Sequence, residues 1–420
     1  MPVAVGALAK RFGSGLTVLH DDWGGGWSIG TVICAHPVEV VEAFHEPIEA
    51  LEEAVAARPD CLWAGYISYD AGRSIEAIPQ LAVDDVAVPL LRFCAYPAWV
   101  TLEGSQLKAH GEQGPAGELA AEVGTALKAG AEAAPPDGTA ARFVERSFTR
   151  DKYETAVRDA LEHIRAGDFY QVNLSQRFSA RLPDPGALAD AMTVACPSPY
   201  GAYIDAGEFQ VISASPELFL SVDEGIVTSS PIKGTRPRSR IPEEDAHLAE
   251  ELSLSEKDRA ENLMIVDLIR NDLGKVCEPG SVEVDSLWGV ESFATVHHLV
   301  STITGRLVPG AGLKRLLEAA FPGGSITGAP KVAAMKFIEE TEPFRRGIYT
   351  GSIGWIGPAS KGMRLELNIA IRTVTYQSGC AHLHVGGGIV ADSVPAFEYK
   401  ETLDKAAGIA EAMGLDPNSL

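Results

Sequence analysis

The sequence predicts an α+β chain whose strands pair in antiparallel sheets. Three observations carry this. Strand-like runs are grouped between helical tracts with no regular strand–helix–strand rhythm, as in "FQVISASPELFLSV" followed by "GIVTS". Helical tracts keep a period near 3.6: Tyr153, Val157, Leu161 and Ile164 follow one another by four, four and three behind a cap-like Thr149. The chain has 420 residues, 46% of them hydrophobic, enough to bury a sizeable core.

Taken in order, residues 1–110 hold the strand-like pieces "WSIGTVICA", "LWAGYISYD" and "LLRFCAYPAWVTL". Residues 111–140, rich in Ala, Gly, Pro and Glu and free of aromatics, read as a surface helix or linker. The main region, 141–420, opens with the Tyr153 helix and the alternating strand "YQVNLSQRFSA". Strands dominate 200–235, then comes a helical tract containing "ENLMIVDLIRNDL", then the strands "SVEVDSLW" and "HHLVSTITGRLV". Helices near 312–320 and 330–340, three strands between 347 and 391, and a final helix from 395 complete the expectation. No internal repeat is evident.

Composition excludes several classes. A net charge of −22, from 57 acidic against 35 basic side chains, argues against nucleic acid or an anionic membrane as partner. Six dispersed cysteines without a C-x-x-C pair form neither a disulfide framework nor a zinc site, which fits a reducing, cytoplasmic setting. The N-terminal apolar run has its positive charges after it, unlike a secretion signal, and no run is long enough to span a membrane.

Several stretches carry chemistry. In "SSPIKGTRPRSR", Pro231 and Gly234 flank Ile232 and Lys233, so Lys233 is expected where a strand stops and the chain bends, its amine aimed at one place. "FPGGSITGAPK" has phosphate-loop glycine spacing but Ala329 and Pro330 where Lys and Ser/Thr are required. With Pro330 in a first helical turn, it still ends at a helix N-terminus able to face an anion. Gly386, Gly387 and Gly388 interrupt a strand pattern, as a bulge, a tight packing contact or a close ligand approach would require. Glu261 lies on a helical tract, and Glu398 and Glu401, three apart, share one helical face. Such carboxylates either hold Mg²⁺, which takes one or two of them plus substrate oxygens, or form a solvated acidic face. Glu217 at a strand start is a general acid if burial raises its pKa, or else an exposed strand end. His298 is an inward-facing strand histidine. Arg372 either pairs with an acid or clamps a substrate carboxylate.

These blocks, in this order from about Phe148 to Ala407, resemble the chorismate-utilising enzymes: "YQVNLSQRF", "SASPELFL", "PIKGT", "ENLMIVDLIRNDLGKVCEPGSV", "HHLVSTITG", "FPGGSITGAPK", "IYTGSIGW", "IAIRT" and "GGGIVADSVPAFEYKET". "LWAGYISYDAGRSIE" resembles the family's N-terminal region more weakly. The family includes anthranilate, isochorismate, salicylate and aminodeoxychorismate synthases, and the resemblance implies antiparallel sheets packed as a sandwich with flanking helices. Where the isochorismate and salicylate branch carries a water-activating lysine, this chain has Gln171, which implies ammonia as nucleophile. Lys233 matches the Pro-Ile-Lys-Gly-Thr of the aminodeoxychorismate synthases, where anthranilate synthases read Pro-Ile-Ala-Gly-Thr.

The resemblance implies Lys233 as covalent nucleophile, Glu217 as acid, and His298 in support near the ring. It implies Glu261 and Glu401 as Mg²⁺ ligands with Glu398 assisting. Gly234, Thr235, Tyr349, Arg372 and the backbone of Gly386 to Gly388 fall at chorismate-contacting positions. No cysteine sits in a glutaminase elbow, so ammonia is expected from a separate glutaminase subunit, and the lyase giving 4-aminobenzoate is expected to be another protein. The alternatives are anthranilate synthase component I, or a silent chorismate- or tryptophan-binding subunit.

Overall fold

The computed structural model describes residues 3–132, 141–293, 296–358 and 362–417. Residues 133–140, the end of the Ala/Gly/Pro-rich segment, lie outside the described residues. The part before them forms a helix, Gln113–Glu132, which buries Ala116, Leu119, Val123 and Ala126.

Two antiparallel sheets carry the chain. The first runs through Gly328–Ala329, Gln171–Arg181, Cys380–Ile389, Thr373–Gln377, Phe209–Ser215, Tyr200–Asp205, Thr17–His20, Thr31–Cys34, Ala98–Glu103 and Gln106–Gly111, with Arg142–Arg146 also paired to Gln171–Arg181. The second runs through Ile232–Pro237, Val296–Arg306, Ile226–Ser230, Leu218–Asp223, Arg364–Asn368, Ser352–Gly357, Leu62–Ile67, Leu91–Tyr96 and Glu39–Ala43, with Glu283–Ser292 beside Val296–Arg306. The sheets pack face to face through a core that joins Leu19, Val32, Ala202 and Val211 of one to Ala64, Tyr66, Cys94, Ile353 and Trp355 of the other. Helices cover the outer faces: Pro47–Ala57, Glu256–Gly274 and Leu313–Ala320 on the second sheet, Val5–Phe12, Gln113–Glu132, Pro185–Ala195 and Pro395–Ala412 on the first. The expected α+β sandwich with flanking helices is the observed architecture.

Local signals explain the elements. Thr149 caps Arg150–Ala166 by accepting from Lys152 N, and Gly167, at φ +84°, ends it in the left-handed conformation that favours glycine. Tyr153, Val157 and Leu161 are buried as their spacing predicts. Strands from residues 1–110 enter both sheets, so this part of the chain is woven into the same sandwich as the rest.

Several expectations are corrected. Four strands, not three, lie between 347 and 391 among the described residues. The apolar tract around "LNIAIRTV" reads as continuous, yet the chain leaves the second sheet after Asn368 and joins the first at Thr373. "LLRFCAYPAWVTL" is two strands in different sheets, parted at Pro97, which has no N–H for a ladder. Lys233 is not at a strand end: it lies within Ile232–Pro237, which continues because it is the last strand on its side of the sheet and Gly234, at φ +72°, absorbs a bulge. The alternation in Gln171–Arg181 does not mark a solvent face either, since all but its last residue are buried between helices and the opposite sheet.

Candidate active site

At two places that lie side by side the chain crosses from one sheet to the other. Pro216 and Glu217 join Phe209–Ser215 to Leu218–Asp223, and Ile369 to Arg372 join Arg364–Asn368 to Thr373–Gln377. The crossings are tied together. Ser215 Oγ donates to Ile369 O at 2.6 Å, Ile369 N to Glu217 O at 2.9 Å, and Ala214 N to Arg372 O at 3.0 Å. Glu217 and Arg372, both selected from sequence, are thus placed by one set of hydrogen bonds.

Glu217 is 5% exposed, and its carboxylate is hydrogen-bonded by Ser325 and by the Ile232 backbone. Lys233 Nζ donates to Ser325 O at 3.1 Å, so Ser325 stands between acid and amine. Lys233 is half-buried, and its amine end is enclosed. Burial, then the nearby Lys405 charge, pushes that amine below the usual lysine value, against the pull of Glu217, Glu261 and Glu401. Burial raises the Glu217 carboxyl, only partly offset by Lys233. Both shifts move the pair toward a neutral amine beside a neutral acid.

Gly234 makes the bulge that turns Lys233 inward. A Cβ there would come within 2.8 Å of Asp258 Cγ and Leu252 Cδ1, a position for glycine alone. Thr235 Oγ1 lies 2.9 Å from His298 Nδ1 across the strand pair. Burial, then the charge of Arg372, lowers His298 to about 4, so it is neutral at pH 7, and among the described residues its buried Nε2 has no partner. Arg372 is half-buried at φ +50°, and burial lowers its pKa. Among the described residues no acid or carbonyl accepts a hydrogen bond from its guanidinium, which leaves a dehydrated fork open to an anion. Tyr349 is buried, stacked on His384 with ring centroids 5.3 Å apart.

Glu398 and Glu401 stand close together, and Glu261 lies within reach of the Glu401 charge. A Cβ placed on Gly387 would meet Glu401 Oε1 at 3.4 Å and Glu398 Oε2 at 3.5 Å, so both carboxylates stand over that glycine. Burial raises Glu261 and Glu398, and the charge of Glu401 adds to both. Burial would raise Glu401 too, but Lys405, 2.7 Å away, holds it below its usual value. Like-charged hard oxygens crowded together suit a hard cation. Among the described residues no group of three or more His, Cys, Asp or Glu is placed to hold a metal ion. An ion here would therefore need oxygens from water or substrate, the habit of Mg²⁺.

The glycine run is a close-packing site, with Gly386 to Gly388 in unbroken register against Ser175, Leu174 and Asn173. Gly386 O already accepts from Lys405 Nζ at 3.0 Å. The segment after "FPGGS" pairs briefly with Gln171 and Val172, and Pro330 caps Lys331–Thr341 from outside rather than filling its first turn. Sequence reasoning missed Ser325 and Lys405. Ser325 gave no signal beyond its glycine-rich loop, whereas the i,i+4 spacing of Lys405 from Glu401 was available.

Comparison with known proteins matches the family model described as chorismate binding enzyme over residues 22–411. The chain belongs to this family and is a chorismate-utilising enzyme. It is 39% identical to aminodeoxychorismate synthase component 1 of Bacillus subtilis, over 89% of this chain and 82% of that one. It is 40% identical to anthranilate synthase component 1 of Thermus thermophilus, over 88% and 82%. The crystal structure of anthranilate synthase component I from Streptococcus pneumoniae superposes with a TM-score of 0.78 at 32% identity, over 90% of this chain and 91% of that one. Among the described residues no helix is long and apolar enough to cross a membrane.

Proposed function

We propose that the chain is the chorismate-aminating component of an aminodeoxychorismate synthase, converting chorismate and ammonia to 4-amino-4-deoxychorismate through a covalent bond to Lys233. What carries the reading is the enclosed Lys233 amine, joined through Ser325 to the buried carboxyl of Glu217. An uncharged amine beside a protonated acid is the state that nucleophilic attack with leaving-group protonation requires. Lys233 Nζ bonds to C2 of the ring as the C4–O bond breaks, and Glu217 gives its proton to the departing hydroxyl, released as water. Ammonia then bonds to C4, the C2–N bond breaks, and its electron pair returns to Lys233. The same carbon thus exchanges oxygen for nitrogen in two steps rather than by one difficult displacement.

Arg372 would hold a substrate carboxylate, with Thr235, Tyr349 and the Gly386–Gly388 backbone shaping the remaining surface. Glu261 and Glu401, with Glu398, would hold Mg²⁺, which when bound supplies Lewis-acid stabilisation of substrate charge. His298 holds Thr235 in place. Relatives named component 1 support a second subunit; in this reading it is a glutaminase that supplies ammonia, and a separate lyase acts on the product to give 4-aminobenzoate.

Anthranilate synthase names occur at similar identity, so the decisive experiment is product analysis with chorismate, Mg²⁺ and ammonium salts. The expected product is 4-amino-4-deoxychorismate, and anthranilate formed without any added lyase would overturn the assignment. Intact-mass measurement with chorismate and no ammonia should find an adduct that Lys233→Ala abolishes.

A further inference from the structure

Arg346 and Arg372 both stand near the candidate site, and they are opposites. The Arg372 fork is open among the described residues, whereas every N–H of the Arg346 guanidinium is engaged. Its Nε donates to Glu342 Oε2 at 2.9 Å, and its Nη2 to Glu342 Oε1 at 2.6 Å. Nη1 donates to Ile326 O at 3.0 Å and to Thr350 Oγ1 at 3.3 Å, and Nη2 donates again, to Asn173 O at 2.7 Å. These bonds use all five donors that a guanidinium carries. Arg346 and Glu342 are both buried, and Glu342 Oε1 accepts a further bond from Ser175 N at 2.8 Å.

The segments that this guanidinium joins lead to the site. Ile326 directly follows Ser325 in the 3-10 turn Gly324–Ile326, and Ser325 is the residue between Lys233 and Glu217. Asn173, whose carbonyl Arg346 holds, donates its own N–H to Thr327 O at 2.8 Å, so the turn is held on both sides of Ile326. Thr350 follows Tyr349, and the guanidinium lies 5.7 Å from the Tyr349 ring centroid and 4.9 Å from that of Tyr69. A buried ion pair is a poor source of stability, because its attraction must first offset the lost hydration of both charges. What a fully bonded fork does supply is direction. The partner of the Lys233 amine is a backbone carbonyl, so it stands wherever the turn stands.

We propose that Arg346 is a positioning residue for the Lys233–Ser325–Glu217 group, holding the Ser325 turn so that amine and acid meet the ring together, an inference that rests on the covalent amination reading above. Arg346 bonds directly to neither Lys233 nor Glu217. It acts through the Ile326 carbonyl, one residue beyond the Ser325 carbonyl that accepts from Lys233 Nζ. A misplacement of about 1 Å, caused away from the chemistry, is enough to cost roughly 10²-fold in rate. Lysine cannot take this place: its single nitrogen cannot span Glu342, Ile326, Asn173 and Thr350 at once. The substrate carboxylate, held in this reading by Arg372, is not touched by the change.

The test uses the whole chain with chorismate as the probe and two variants, Arg346→Lys and Glu342→Gln. The second keeps the shape of the pair but sets an amide donor against the guanidinium, so the arginine stays and its anchor weakens. Adduct formation on Lys233 without ammonia is followed over a range of chorismate concentrations, and the folded fraction is taken from circular dichroism. The limiting rate per folded molecule should fall about 100-fold in Arg346→Lys and about tenfold in Glu342→Gln, with half-saturating chorismate within about threefold of the unaltered chain. The double variant should be no slower than Arg346→Lys, because both changes act through one link. An unchanged limiting rate in the folded variants would overturn the proposal and leave the pair as a structural tie. A raised half-saturation at unchanged rate would overturn it too, since the effect would then lie in substrate binding. If Arg346→Lys does not fold, Glu342→Gln decides by the same criterion. No adduct in the unaltered chain would overturn the covalent reading and the positioning role together.

Discussion

Lys233 and Glu217 share Ser325, and burial drives both away from their charged forms. Their protonation requirements have opposite slopes: the amine must lose its proton as pH rises, and the acid must keep its own. Turnover should therefore follow a bell in pH, falling on the acid side as Lys233 is protonated and on the alkaline side as Glu217 ionises. The adduct-forming rate, measured across pH, checks this. Glu217→Gln should flatten the alkaline limb and slow turnover roughly 10²–10⁴-fold, and an unaltered alkaline limb would exclude Glu217 as the acid. Among the described residues Arg372 has no protein acceptor, so its charge is available to substrate. Arg372→Gln should raise KM for chorismate about 10–100-fold, the worth of a charge-assisted hydrogen bond, with little change in the fold as seen by circular dichroism.

The paired crossings are the element that makes the site. Ser215 is fully buried, and its hydroxyl is the side-chain link from one crossing to the Ile369 carbonyl of the other. Ser215→Ala leaves that carbonyl without this donor and should cost about 1–3 kcal/mol in urea unfolding. It should also impair chorismate binding, since Glu217 and Arg372 lose a common anchor; stability loss with unchanged KM would contradict the linkage. Much of this was legible beforehand. The carboxylates, the lysine and the arginine were each picked out by residue type next to strand and helix signals. The crossings were not, because "LNIAIRTV" and "SASPELFL" keep strand-like hydrophobicity while the chain changes sheets, and periodicity is blind to which sheet a strand joins. Ser325 was invisible for a similar reason: its part depends on a loop brought beside Lys233 from 92 positions away.

Across the whole molecule, burial leaves several histidines uncharged. Burial, with the charge of Arg372, lowers His298 to about 4, and burial, with that of Arg177, lowers His382 to about 4. The unfolded chain takes up these protons near pH 6.5. The stability is whole above that value and is lost as pH falls toward 4, roughly 1–2 kcal/mol for each group near pH 5. Thermal unfolding at pH 7.5 and 5.5 should show the decline, and His382→Gln should reduce it. An unchanged pH dependence in that variant would mean the ring is not held neutral. The high acidic content does not forecast this behaviour, because the charges that set it lie inside.

Gln171–Arg181 finds its long partner only in Cys380–Ile389, some two hundred positions further along the chain. During synthesis most of the earlier strand must wait for this partner until residues 380–389 have left the ribosome. Contacts so distant in sequence slow folding and lengthen exposure to aggregation and proteolysis. A nascent chain arrested before residue 380 should accordingly be cut readily within 171–181, and release of the final forty residues should confer protection.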